Sequence, residues 1–107
     1  MTFFEYNQTI YLIITTEKNK DNAYKISNPL LAEKLAACVT FKNIESHFLW
    51  KGKINQIKEI QLIIKCKEEN IKKIVQKISE CHSYEVPEII YFPVSANSNY
   101  HQWVNSF

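Results

Sequence analysis

The stretch VTFKNIESHFLW (Val39–Trp50), followed by Lys51-Gly52-Lys53 and then INQIKEIQLIIKCK (Ile54–Lys67), decides how the rest of the chain is read. Both arms are rich in β-branched and aromatic residues, which suit a pleated, half-buried surface. Between them lies Gly52, the only glycine in 107 residues. A positive φ is most easily supplied by glycine, so its single use here predicts the tight turn of a long β-hairpin. In the second arm Glu59 and Gln61 alternate with Ile60 and Leu62 before Ile63 and Ile64 prolong the apolar run. That pattern describes a strand passing from half-exposed to buried.

Working outward, Ile10, Tyr11, Leu12, Ile13 and Ile14 form a continuous apolar run, which predicts a central strand over Thr9–Thr16 covered on both faces. Glu17–Asn22 is polar and turn-like, and Asp21 or Asn22 then caps a helix running to about Ala37. Pro29 either kinks that helix or is its first residue after an Asn28 cap, and both readings stay open. Beyond the hairpin, Glu68 and Glu69 complement the N-terminal dipole of a second helix. Its apolar residues Ile71, Ile74, Val75, Ile78 and Cys81 recur at helical spacing, with Lys72, Lys73 and Lys77 on a solvated face. Glu88–Val94 reads as a strand that Pro93 confines to its end or to a sheet edge, and Asn99–Asn105 as a short terminal helix.

The order β-α-β-β-α-β with a helical tail predicts an α+β, ferredoxin-like (split β-α-β) fold: an antiparallel sheet with two helices on one face and a short C-terminal helix. Residues 1–107 suit one domain, being 46% hydrophobic and too few for a second core. The other sheet face carries too many apolar residues to rest comfortably in water, and so calls for a partner.

Composition narrows the partners. The net charge is +2, all 13 basic residues are lysine, and they are interleaved with acids. The absence of arginine removes the bidentate fork that reads guanine edges and clamps phosphates, so no nucleic acid is expected. No run is long enough to span a membrane, and Glu5 with no basic residues before it argues against a leader peptide. Cys38, Cys66 and Cys81 are odd in number and widely spaced, which predicts mostly buried, reduced thiols and a cytoplasmic location.

Chemistry concentrates in His82-Ser83-Tyr84-Glu85-Val86-Pro87-Glu88-Ile89-Ile90, where an imidazole, a phenol and carboxylates surround a stiffening proline. His82 is the candidate metal ligand, with His47 and His101 the remaining imidazoles. Glu59, Lys65, Tyr84 and Glu88 are expected to converge in a cleft able to bind a small polar ligand or metal complex. Phe48, Trp50 and Trp103 are interface candidates, since large amphipathic rings cover area at subunit contacts.

Five pieces in the same order resemble the CutA family of divalent-cation tolerance proteins. They are Leu35-Ala36-Ala37-Cys38-Val39, Trp50-Lys51-Gly52-Lys53-Ile54, Glu59 through Lys65, His82 through Ile90, and Tyr100-His101-Gln102-Trp103-Val104. The resemblance implies a ferredoxin-like subunit, similar to PII signalling proteins, that assembles into a homotrimer through its hairpin strands. It also implies a response to metal ions, with binding of Cu(II) or another divalent metal and no settled enzymatic reaction. Some members carry a cysteine on the first strand, whereas Leu12–Thr16 here has no thiol. A trimer would bury Phe41, Phe48 and Trp50, which a monomer would expose. The expectation is therefore a non-catalytic metal-response trimer. The competing readings are a structural or partner-binding trimer, and an enzyme using His82 as acid or base with Tyr84 or Glu88, although no motif names its reaction.

Overall fold

Four strands and three helices make up the computed structural model, which describes residues 8–107. Glu5, weighed above against a leader peptide, lies outside the described residues. In chain order the elements are β1 (Thr9–Glu17), α1 (Lys20–Ala32), β2 (Cys38–Trp50), β3 (Lys53–Cys66), a 3₁₀ turn (Glu68–Asn70), α2 (Ile71–Cys81), β4 (Ile89–Ser95) and α3 (Ser98–Asn105). The sheet order is β2-β3-β1-β4 with every neighbouring pair antiparallel. Each β-α-β unit is thus split by an intervening strand, as the ferredoxin-like fold requires. No helix among the described residues is long and apolar enough to cross a membrane.

Register assigns the two faces. Tyr11, Ile13, Thr15 and Glu17 lie opposite Cys66, Ile64, Leu62 and Ile60, so these side chains share one face of the sheet. There Ile13, Leu62 and Ile64 pack with Ala23, Ile26 and Leu30 of α1 and with Ile74 and Ile78 of α2. Leu12, Ile14, Ile63, Ile90 and Phe92 occupy the opposite face. Only part of that face is covered: α3 contacts β1 and β3, and its Val104 is fully buried. Ile90 and Phe92 remain 51% and 39% exposed.

The hairpin turn fits its sequence. Trp50 pairs with Lys53, leaving Lys51 and Gly52 as the two turn residues, with φ of 51° and 77°. Positive φ at both is the primed geometry whose twist matches the flanking strands. Pairing of β1 with β3 covers only Ile60–Cys66, whereas β2 follows β3 all the way to the turn. The distal hairpin therefore projects beyond the sheet, and the molecule measures 54 × 28 × 21 Å.

Helix α1 departs from expectation at both ends. Its cap is Asn19, whose side chain accepts from Asn22 N at 2.9 Å, rather than Asp21 or Asn22. The helix is continuous through Pro29, so Pro29 does not open it after an Asn28 cap, and it stops at Ala32, short of Ala37. Lys34 takes a left-handed φ of 57°, Leu35 N donates to Leu30 O at 2.9 Å and Lys34 N to Leu31 O at 3.0 Å. This pair of bonds closes a helix C-terminus, normally around glycine. Here lysine bears the conformation, which is why the sequence offered no stop signal. The other elements lie within a few residues of their expected positions, and Pro93 sits on β4, an edge strand. All three cysteines are free, but only Cys66 is buried; Cys38 is half-buried and Cys81, the last residue of α2, is exposed.

Candidate functional site

The loop between α2 and β4 is fastened to the end of β1 by a buried polar cluster. Helix α2 ends when His82, with ψ of 140°, turns the backbone into extended conformation while His82 N still donates to Ile78 O at 2.9 Å. That turn swings the imidazole onto β1. Nε2 lies 2.5 Å from Thr16 O, and Nδ1 accepts from Tyr84 N at 3.0 Å, which fixes Nε2 as the donor.

Beside it Glu17, also fully buried, receives Ser83 Oγ at 2.5 Å and Lys18 N at 3.0 Å on Oε1, and Ser83 N at 2.9 Å on Oε2. Burial alone would raise the Glu17 carboxyl, but the bonds from the Ser83 hydroxyl and the Ser83 and Lys18 backbone together hold it below the ordinary carboxylate range. Glu17 was read from sequence as part of a polar turn. Its position in phase with Tyr11, Ile13 and Thr15 was the signal that it faces inward.

The next loop residue reaches the hairpin. Tyr84 Oη donates to Glu59 Oε2 at 2.7 Å, and the Tyr84 ring leans on the His82 ring with centroids 5.0 Å apart. Burial first, and then the adjacent Glu59 carboxylate, push the Tyr84 phenol well above its ordinary value. It therefore stays a hydrogen-bond donor across the physiological range. Glu59 is only 7% exposed.

Between the loop and the hairpin lies a groove of about 650 Å³. Ser46, Phe48, Trp50, Asn55, Ile57 and Glu59 form the hairpin wall, and Thr16, Ser83, Tyr84, Glu85, Val86 and Glu88 the loop side, with His47 at the rim. The structure thus brings together three of the four expected cleft residues, Glu59, Tyr84 and Glu88. Lys65 is not among them. It shares a strand face with Glu59 but stands six residues away along β3, about 20 Å at strand rise. Phe48 and Trp50 line the groove, while Trp103 lies on α3 in an aromatic row with Tyr100 and Phe107, at centroid distances of 5.6 and 5.3 Å.

His82 does not meet the requirements of a metal ligand in this geometry. Its side chain is fully buried, and both ring nitrogens are engaged, so no lone pair is open to a cation. Among the described residues no three His, Cys, Asp or Glu side chains are grouped to hold a metal. The described residues of this chain therefore do not fit a divalent-metal centre, and His82 serves as a fastening for its loop.

Comparison with known proteins agrees with the fold. The family model of the CutA1 divalent ion tolerance protein matches residues 11–106. Divalent-cation tolerance protein CutA of Pyrococcus horikoshii is 33% identical over 94 residues, covering 87% of this chain and 92% of that protein. Protein CutA, chloroplastic, of Arabidopsis thaliana is 33% identical over 97 residues, 89% of this chain, which spans only 53% of the plant protein. Among solved structures, CutA of Xylella fastidiosa superposes with a TM-score of 0.86 at 36% identity, covering 91% of this chain and 95% of that one. With its ferredoxin-like sheet and these relatives, the chain belongs to the CutA1 divalent ion tolerance family.

Proposed function

We propose that the protein works in the cytoplasm as a homotrimeric, non-catalytic divalent-cation response protein of PII-like architecture, with its groove as a ligand cleft. The observation that carries the assembly is the open sheet face. Leu12, Ile14, Ile63, Ile90 and Phe92 form an apolar surface that α3 covers only in part, and on the reverse side of the hairpin tip Leu49 and Ile54 are 73% and 81% exposed. A surface of this kind on a chain of this size favours burial against other copies. Three is the number that the family resemblance implies. Phe48, Trp50 and Trp103 stand at the margins of this surface and add rings to the contact.

The relatives' names speak of tolerance to divalent cations, and we extend that role to this chain. The reading supplies no resident metal centre within a subunit. Cu(II), expected from the resemblance, has as its exposed donor pair His47 and Glu45 on β2, with Nε2 and Oε1 3.7 Å apart and Oε1 also accepting from Gln56 Nε2 at 2.7 Å. That pair gains a third donor only from a second protomer. The absence of arginine and the interleaved charges keep nucleic acid out of the proposal.

Sedimentation velocity tests the assembly: the expected species has three times the 12.6 kDa mass of the chain. A monomer persisting at micromolar concentration refutes it. Calorimetry with Cu(II) tests the cation reading, with equal affinity expected for the parent and for His82→Ala, since the buried imidazole has no free nitrogen. A parent protein that takes up no Cu(II) removes copper from the proposal.

A further inference from the structure

His82 and Glu17 face each other where α2 gives way to its loop, and both side chains are fully buried. Between them His82 Nδ1 has two neighbours of opposite character: Tyr84 N, a donor, at 3.0 Å, and Glu17 Oε2, an acceptor, at 3.4 Å. A bare Nδ1 can use only the first, and a protonated Nδ1 only the second. Oε2 accepts one bond, from Ser83 N, which leaves it a lone pair for another. Nε2 is not affected, since its hydrogen is directed to Thr16 O in either state. A single proton therefore decides which partner the ring holds.

The surroundings allow that proton to be taken up. A buried charge is costly when it stands alone, but here the opposing charge is already in place. The bonds from Ser83 and Lys18 keep Glu17 below the ordinary carboxylate range and hence ionised. An opposite charge within about 4–6 Å favours the charged form of a base. The other titratable groups near the ring are few. Tyr84 leans on it from the loop, held neutral by burial and by Glu59 of β3 behind its hydroxyl. Lys18 after Glu17, Glu80 and Cys81 at the end of α2, and Glu85 and Glu88 on the loop are all exposed. Ala23, Ile26, Ser27 and Leu30 of α1, with Ile74 and Ile78 of α2, are the buried residues of those helices and bring no charge. Lys77 of α2 is turned to Glu33, 3.1 Å away, and β4 opens with Ile89 opposite Thr15. Glu17 is thus the one buried charge beside the ring.

We propose that His82, Glu17 and Tyr84 form a proton-operated latch: when Nδ1 takes a proton, the ring trades Tyr84 N for Glu17 Oε2, and the loop backbone at Tyr84 is released. Ser83 Oγ stays on Glu17 and Tyr84 Oη on Glu59, so the loop loosens at one bond without coming away from β1 and the hairpin. The segment that follows carries Glu85, Val86 and Glu88 into the groove, whose shape thereby becomes dependent on pH. That consequence rests on the ligand-cleft reading, whereas the exchange of partners does not. All the groups involved belong to one chain, so the latch is independent of the number of subunits.

Nitrogen-15 NMR of the parent protein from about pH 8 to about pH 5, the range in which an imidazole changes charge, reads both ends of the exchange. The Nδ1 resonance should pass from its bare to its protonated position, and the Tyr84 amide should shift with the same midpoint. Protection of that amide against hydrogen exchange, corrected for the intrinsic effect of pH, should fall about tenfold, while Ile13 and Ile64 of the core keep theirs. Glu17→Gln retains an acceptor for Ser83 without the charge, and its His82 should protonate only at lower pH. His82→Gln, which has no titrating ring, should leave the Tyr84 amide constant. A ring that keeps a bare Nδ1 down to about pH 5 in folded protein overturns the inference, as does a protonated ring with an unaltered Tyr84 amide. An unchanged midpoint in Glu17→Gln, or a Tyr84 response that persists in His82→Gln, overturns it too. The first two readings need only the parent protein, so a variant that fails to fold leaves the test standing. Sedimentation on the same samples separates the two proposals: a trimer without the exchange sinks only the latch, and a monomer that shows it sinks only the assembly.

Discussion

Replacing Glu17 by alanine should loosen the loop that carries Ser83, Tyr84 and Glu88, at a cost that can be worked out bond by bond. Three donors lose their acceptor: Ser83 N, Ser83 Oγ and Lys18 N. Lys18 and Ser83 are both exposed residues whose freed donors rehydrate, so the cost lies in the lost bonds and not in stranded donors. The two bonds from Ser83 are charge-assisted, each of a kind worth about 1.5–3 kcal/mol, and the desolvation of the buried carboxylate that alanine relieves offsets part of this. A net loss of about 2–4 kcal/mol is expected at pH 7. The folded state holds the Glu17 carboxyl below its unfolded value and so binds fewer protons than the unfolded chain there. The contribution is complete above the ordinary carboxylate range and declines as pH falls through the folded value, so the gap between parent and Glu17→Ala should narrow in acid. Urea unfolding of both proteins at equal chain concentration, at pH 7 and again below pH 4, measures the gap. Hydrogen exchange at Ser83 and Tyr84 should rise in the variant. A difference below about 0.5 kcal/mol at pH 7, the level of an ordinary surface change, would refute the fastening role.

Trp50→Ala should weaken the assembly by about 2–4 kcal/mol if the ring is an anchor, read as a rise in the dissociation constant by sedimentation; an unchanged trimer would demote Trp50 to a groove residue. Burial pushes the Cys66 thiol up to about 12, so an aromatic disulfide reagent at pH 8 should label Cys81 first and reach Cys66 only on unfolding. Rapid labelling of Cys66 in folded protein would contradict its burial. A broad screen of phosphoester, ester and peptide substrates should show no saturable turnover, because an acid or base alone gives roughly 10²- to 10⁴-fold acceleration without an oriented nucleophile. Activity lost in His82→Ala with the fold intact would bring the enzyme reading forward.

Much of the architecture was legible because it rests on period. The alternation in β3 and the helical spacing of Ile71, Ile74 and Ile78 state their own faces, and Pro93 marks its strand as an edge. The end of α1 was hidden because Lys34, rather than glycine, takes the left-handed conformation. In the site, residue type identified Glu59, Tyr84 and Glu88, whereas distance along a strand excluded Lys65 and only register revealed Glu17. His82 shows the same limit from the other side. An imidazole in a loop reads as reactive, and its burial against Thr16 O and Tyr84 N is a product of where α2 stops.

The two-residue turn at Lys51-Gly52 has a bearing on how this hairpin can vary in length. Phe48, Trp50, Ile57 and Glu59 share one side only because Trp50 stands opposite Lys53. Inserting a single residue into either arm between the turn and Glu59 would carry the distal side chains of that arm to the reverse side, exchanging Phe48 and Trp50 for His47 and Leu49 or their counterparts on β3. Adding one residue to each arm keeps the cross-strand pairs but turns both distal arms over together, and two residues added to each arm restore every facing relation. Tolerated hairpin lengths should therefore come in steps of two residues per arm, and a single insertion should survive only with a bulge that absorbs the extra residue.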